Sequence, residues 1–276
     1  MSRSRESGIL LPLPALPSRY GIGDMGPEAL KFADFLKDAA QRVWQVLPLT
    51  PIDGGCGNSP YSPTSAFAGN PLLISPEALA ASGLLSEDDL SAAPLFDEGR
   101  VDYDRVRDFK GPLLRKAWRN FKRTNSRSEY ERFFADNRHW LEGYSFFAAL
   151  KENRGGQPWY EWPEGLKFRR HEALHRTWVE MADEIEFHRF VQFLFASQMA
   201  ALRSRLSELE IKLVGDVPVY VTRDCADIWI HPHLFDLDET LAPVSVAGVP
   251  PDYFSATGQL WGNPLYNWGA MLAEDF

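Results

Sequence analysis

Gly8-Ile9-Leu10-Leu11-Pro12, then Ala29, Leu30, Phe32, Ala33, Phe35 and Leu36 behind Pro27, then Val43-Trp44-Gln45-Val46-Leu47-Pro48-Leu49: these three pieces decide the fold. The first is a short apolar run stopped by proline, which reads as a buried strand. Pro27 suits the first turn of a helix, where its missing N–H costs nothing, and the apolar residues after it recur at helical spacing. The third piece is a second buried strand. Strand, helix and strand in quick succession form a βαβ unit, which implies a parallel sheet covered by helices. Between the first strand and the helix, Ser18-Arg19-Tyr20-Gly21-Ile22-Gly23-Asp24 is a turn-rich loop.

Further along, residues 54–70 have no regular period and are rich in Gly, Ser, Pro and Asn; loops of this length in compact domains are usually functional. From about Pro76 to Arg205 the chain reads as helical and polar, punctuated at Pro94-Leu95, Gly111-Pro112 and Gly155-Gly156. Its last helix, Phe187 to Leu206, reads as strongly amphipathic and leads into Ile211-Lys212-Leu213-Val214, a third buried strand. The expected division is therefore 1–75 for the first βαβ unit and a substrate loop, 76–205 for an inserted helical subdomain, and 206–276 for a further strand and a terminal loop. Asp216 follows the third strand. In α/β barrels a polar residue there points into the active-site mouth, and the competing reading is a framework carboxylate paired with arginine.

The terminal loop is Ala247-Gly248-Val249-Pro250-Pro251-Asp252-Tyr253-Phe254-Ser255, continuing as Gly258-Gln259-Leu260-Trp261-Gly262-Asn263-Pro264-Leu265-Tyr266. Glycines and prolines fix an irregular backbone, and aromatics with amides decorate it. Such a surface suits a polyhydroxylated ring, since Trp and Tyr offer flat apolar faces while Gln, Asn and Asp meet hydroxyls. A rigid structural loop with packing aromatics is the alternative.

The chain has 276 residues, 45% of them hydrophobic and 24% charged, enough to bury a large core. A net charge of -9 argues against nucleic acid as a partner, because phosphate binding needs a basic surface. Nine Trp would serve either a sugar-binding surface or a large core. Two cysteines, Cys56 and Cys225, show neither pairing pattern nor metal spacing, which fits a reducing cytoplasm. Arg3 and Arg5 before Ile9 to Leu16 mimic a signal peptide, but Pro12 and Pro14 break the apolar run. No run approaches the roughly 18 apolar residues of a membrane span. His171-Glu172-Ala173-Leu174-His175 matches the zinc-peptidase pattern. It reads as a chance match, because Met181 stands where a third histidine would and Trp178 where the longer motif has glycine. No phosphate loop, nucleophile elbow or dinucleotide fingerprint occurs, so neither cofactor nor metal is expected.

Several dispersed stretches resemble the 4-α-glucanotransferases (amylomaltases, or disproportionating enzymes) of the α-amylase clan. They are Gly8 to Pro12 with Gly21 to Asp24; Trp44 to Leu49; Ser59-Pro60-Tyr61-Ser62 with Ser65 to Pro71; Trp159-Tyr160-Glu161-Trp162-Pro163; Gly215 to Val221; Asp224 to Trp229; and Ala247 to Tyr266 with Trp268. The resemblance covers nearly the whole chain in the family's order. It implies an α/β fold, a (β/α)8 TIM barrel of which only the first strands are present. It also implies a cytoplasmic enzyme that moves α-1,4-glucan segments between maltodextrins by retaining double displacement. By the same resemblance Ser59 and Tyr61 are donor-side sugar contacts, with Tyr61 stacking near the reacting ring. Asp216 belongs to the family's first barrel motif, and Gln259 and Trp261 lie on a mobile loop that covers the glucan, with Asp252, Tyr253 and Asn263 as neighbours.

Three departures stand out. Cys225 replaces a usual Ser, and Asn267 a usual Asp. More seriously, a retaining mechanism needs a nucleophile and an acid/base carboxyl about 5 Å apart. The resemblance places both on later barrel strands, beyond Phe276, so no catalytic residue is expected within this chain and the 276 residues alone are expected to be inactive. The alternatives are a non-catalytic glucan-binding module and an amylase-like hydrolase.

Overall fold

The computed structural model describes residues 5–124 and 127–275, so Arg3 and Phe276 lie outside the described residues. The chain forms two compact units. The first takes the residues up to Pro60, Gly69–Arg138 and Arg189–Val217; the second takes Tyr61–Ala68, His139–His188 and the residues from Pro218 on.

In the first unit the βαβ reading is realised. β1 (Gly8–Leu10) and β2 (Val43–Gln45) pair in parallel around α1 (Pro27–Asp38), and β3 (Lys212–Val214) pairs in parallel with the other side of β2. The sheet order is β1-β2-β3. Ile9, Trp44 and Leu213 are in register and point to one face, where they pack with Ala29, Ala33 and Leu36 of α1 and with Leu202 and Leu206. The helix starts where Asp24 Oδ1 accepts from Gly26 N at 3.0 Å and Pro27 occupies the first turn.

The expectation of buried strands needs correction. Each strand is only three residues long, and among them Trp44 alone is buried. Strand side chains alternate between faces, and the row Leu10, Gln45, Val214 points to the face that α1 does not cover. Leu10 is accordingly 55% exposed and Val214 42%.

Helices α2 (Pro76–Ala81), α3 (Glu87–Ser91) and α4 (Tyr103–Phe121) follow. Ser75, the capping box of Ser86 with Asp89, and Asp102 cap their starts. Gly111-Pro112 was read as punctuation, yet α4 runs through it. An interior proline costs about 3 kcal/mol. Leu113, Leu114, Ala117 and Trp118 are buried just beyond, and at about 1.5–3 kcal/mol for each large apolar side chain their burial outweighs that cost.

α4 also carries Lys110, which is 2% exposed. Its Nζ donates to Asp24 Oδ2 at 2.8 Å, to Leu72 O at 2.8 Å and to Ile74 O at 3.1 Å. All three ammonium protons therefore have acceptors, which is what a buried cation requires. Burial pulls the Lys110 pKa down, against the opposing pull of Asp24.

The second unit contains the later part of α5 (Ser128–Asn153), then α6 (Glu164–Lys167), α7 (His171–Glu180), the start of α8 (Ala182–Glu208), α9 (Ala226–Ile230) and α10 (Trp268–Ala273). Its core gathers Trp159, Trp162 and Trp229 around Phe146 and Phe147. Each indole N–H has a carbonyl: Trp159 to Arg223 O at 2.7 Å, Trp162 to Gln157 O at 2.9 Å, and Trp229 to Leu166 O at 2.9 Å. Much of the tryptophan therefore serves the core. Gly155 and Gly156 end α5 with φ of 61° and 83°, as that punctuation implied. The strongly one-sided helix expected over Phe187–Leu206 is longer and not one-sided: Phe187, Arg189, Phe190, Val191, Gln192 and Leu194 are all buried. Gln192 is buried because it exchanges two bonds with Gly69, at 2.7 Å to the backbone N and 3.0 Å to the carbonyl.

Two outcomes check this framework. Lys110→Met leaves Asp24 buried and unpaired, and should cost about 3–5 kcal/mol in urea unfolding, while the double change with Asp24→Asn should recover much of that loss. Lys116 and the Ser86 cap hold the Asp89 carboxyl down to about 2, from a usual 3.8. The folded value lies below the unfolded one, so this support is complete above about pH 4 and disappears as the pH falls through 2. An NMR titration of Asp89 should give a midpoint near 2, rising toward 4 in Lys116→Met.

Candidate functional site

Ser59 and Asp216 belong to the first unit. Ser59 ends a tight loop in which Asp53 Oδ1 accepts from Gly55 N at 2.9 Å and Asn58 N donates to Asp53 O at 2.9 Å. Asn58 takes a left-handed φ of 55°, and Arg107 of α4 donates to its side-chain oxygen. Asp216 lies two residues past β3, partly exposed, with Oδ1 accepting from Val217 N at 2.8 Å.

The other candidates lie in the second unit. Tyr61 is 47% exposed at the head of the turn Tyr61–Ala68. Ala226 N donates to Thr64 O at 2.8 Å, Thr222 N to Pro63 O at 3.3 Å, and Ala66 N to Asp227 Oδ2 at 3.0 Å. Burial raises the Asp227 pKa, while the bond from Ala66 lowers it. The sequence signal at Asp227 is only that of an acidic residue in the first turn of a short apolar helix, and its partner Ala66 lies far along the chain.

The loop decorated with aromatics is an antiparallel hairpin of β4 (Val246–Val249) and β5 (Gln259–Pro264). Gly248 faces Leu260 and Val246 faces Pro264, so β5 takes four steps where β4 takes two. The extra residues form a bulge in which Gly262 adopts a φ of 79°. At the tip Gly258 has a φ of 73°, and a Cβ there would stand 2.5 Å from Val249 O. Both positions thus require glycine.

Within this hairpin the candidates separate by environment. Tyr253 is 97% exposed and Trp261 51% exposed. Gln259 Oε1 accepts from Trp261 Nε1 at 3.1 Å, which orients the indole along the strand. Asp252 caps its own turn, its Oδ1 accepting from Phe254 N at 2.9 Å and Ser255 N at 2.8 Å. Asn263 is buried, and its Nδ2 donates to Val221 O at 2.8 Å. Beyond the hairpin, Tyr266 stacks on Tyr220 at 5.9 Å and donates to Val219 O at 2.9 Å. The structure therefore leaves Tyr253, Gln259 and Trp261 exposed, and gives Asp252 and Asn263 backbone partners.

The model of the 4-alpha-glucanotransferase family matches residues 11–276. This chain belongs to that family. It is 48% identical to the 4-alpha-glucanotransferase of Aquifex aeolicus over 272 residues, covering 99% of this chain and 55% of that protein. The enzyme of the same name from Thermus thermophilus is 47% identical over 279 residues, again with 55% of its length covered. Among solved structures, the amylomaltase from Streptococcus agalactiae in complex with acarbose superposes with a TM-score of 0.94 at 37% identity, covering 99% of this chain and 55% of that one. The chain thus spans about half the length of the relatives it matches.

His171 and His175 stack on α7 with ring centroids 6.2 Å apart, and among the described residues no group of three or more His, Cys, Asp or Glu is arranged to hold a metal ion. Among those residues, too, no helix is long and apolar enough to cross a membrane.

The hairpin's anchorage can be tested directly. Asn263→Leu leaves the Val221 carbonyl without its donor and should cost about 1–3 kcal/mol. Amide exchange of β5 should accelerate, while that of β1–β3 stays unchanged.

Proposed function

We propose that this chain carries the glucan-binding part of a 4-α-glucanotransferase, which moves α-1,4-glucan segments between maltodextrins by retaining double displacement. The observation that carries the reading is the match to the family over residues 11–276. In the proposal Ser59 and Tyr61 meet the donor sugar and Asp216 borders the site. Tyr253, Gln259 and Trp261 face the glucan from the hairpin, while Asp252 and Asn263 keep that hairpin in shape. A covering aromatic loop favours a sugar acceptor over water at the covalent intermediate, which is the physical distinction between transfer and hydrolysis.

The fold belongs to the same proposal. Residues 1–75 supply the first barrel βαβ unit and 76–205 a helical insertion. Residues 206–276 supply a further barrel strand and the glucan loop of an incomplete (β/α)8 barrel. The uncovered row of Leu10 and Val214, with Val217 at 76% exposure, supports the idea that further strands complete this sheet. The nucleophile and acid/base are assigned to the portion of the relatives' length that the chain does not span. Two cysteines in 276 residues, with neither pairing pattern nor metal spacing, support a cytoplasmic setting. The alternative is a glucan-binding module without chemistry.

Incubation with maltotriose separates these readings. The protein as its cell makes it should release glucose and build longer dextrins. The 276 residues alone should bind maltodextrin without turnover. Products restricted to shorter sugars would indicate a hydrolase, and turnover by the 276 residues alone would refute the assignment of the acids elsewhere.

A further inference from the structure

Phe67 is 62% exposed, yet its turn is tightly held. Phe67 N and Ala68 N both donate to the buried Ser65 Oγ at 3.2 Å, in addition to the bonds that fix Thr64 and Ala66. Beneath the ring lies Trp140 of α5, with centroids 6.3 Å apart and planes inclined by only 16°. The phenyl ring therefore lies parallel to the indole and offset from it, with most of its own surface open. A large apolar ring presented this way is already ordered, so a flat partner meets it at little entropic cost.

Beside this stack lies a recess of about 230 Å3, whose lining includes Thr64, Tyr144, Phe147, Ala148, Lys151 and Glu152. Trp140, Tyr144, Phe147 and Lys151 recur at helical spacing, so they share one face of α5. The turn contributes Phe67 at one end of that face and Thr64 to the recess. Lys151 is already paired with Asp224, and Glu152 lies 3.0 Å from His188 Nε2. A charged ligand would have to disturb those pairs. A neutral ring rich in hydroxyls would instead find an apolar floor and polar groups at the rim. The recess has room for one such ring, so a longer chain would continue onto Phe67.

We propose that Phe67, seated on Trp140, is an accessory stacking platform for one ring of an α-glucan whose neighbouring ring occupies the recess along α5. The proposal rests on the glucan reading above and adds a binding position beyond Tyr61 and the hairpin. A glucan held at Tyr61 and the hairpin engages it only when the chain is long enough to continue onto α5.

Calorimetric titration of maltotriose and maltoheptaose into the protein as its cell makes it tests this. Phe67→Ala should weaken maltoheptaose binding by roughly three- to tenfold and leave maltotriose unchanged. Phe67→Trp should restore the difference, and Ala148→Leu, which fills the recess without altering the turn, should reproduce the loss. The melting temperature of Phe67→Ala should match the wild type. Unchanged affinity for both sugars in Phe67→Ala would overturn the platform and leave the glucan reading intact, whereas an equal loss for both would place Phe67 in the inner site and also overturn it. Failure of the wild type to bind either sugar would overturn the glucan reading as well.

Discussion

The ammonium of Lys110 is the constraint around which the first unit is arranged. A buried cation is tolerated only when every proton has an acceptor, and its acceptors come from three separate places. Asp24 belongs to the loop before α1, Leu72 and Ile74 to the segment before α2, and Lys110 itself to α4. The other oxygen of Asp24 starts α1 through Gly26 N. One carboxylate thus joins the helix covering the sheet to the helical insertion, and the sheet receives its covered face from that helix. Hydrophobic burial is larger in total, but it would tolerate small shifts. A three-acceptor ammonium does not, and it sets how these elements meet.

The second unit distributes aromatics in two ways. Trp159, Trp162 and Trp229 are buried with their N–H groups satisfied. Tyr253, Trp261 and Phe67 are held out on backbone that is itself fixed by hydrogen bonds and left-handed glycines. The same residue types serve both purposes, and only the backbone beneath them decides which. Composition alone therefore left core and sugar surface as equal readings.

The βαβ unit was legible because apolar period and proline stops are local signals, and the parallel pairing of β1, β2 and β3 followed from them. Strand burial was not, because the sequence shows which residues are apolar but not whether a second layer exists to cover them. Pro112 misled for a related reason: local propensity argued for a break, and distant packing kept the helix. At the candidate site, the irregular backbone of the hairpin was legible from its glycines and prolines, whereas the contacts of Asn263 and Asp227 depended on partners far along the chain. Phe67 falls within Ser65 to Pro71, a stretch that resembles the family, but the resemblance gave it no role of its own.

The pairing of β2 with β3 sets Val43 opposite Lys212, with the whole helical insertion between them in the chain. Such non-local contacts make for slow folding, because the loop must close before the pairing rewards it. During synthesis β1 and β2 emerge early, and a pair of short strands is only marginally stable by itself. The third strand leaves the ribosome only after the insertion helices have been synthesised. The topology therefore sets one condition on assembly: the sheet of the first unit cannot close until the chain between Val43 and Lys212 has been made.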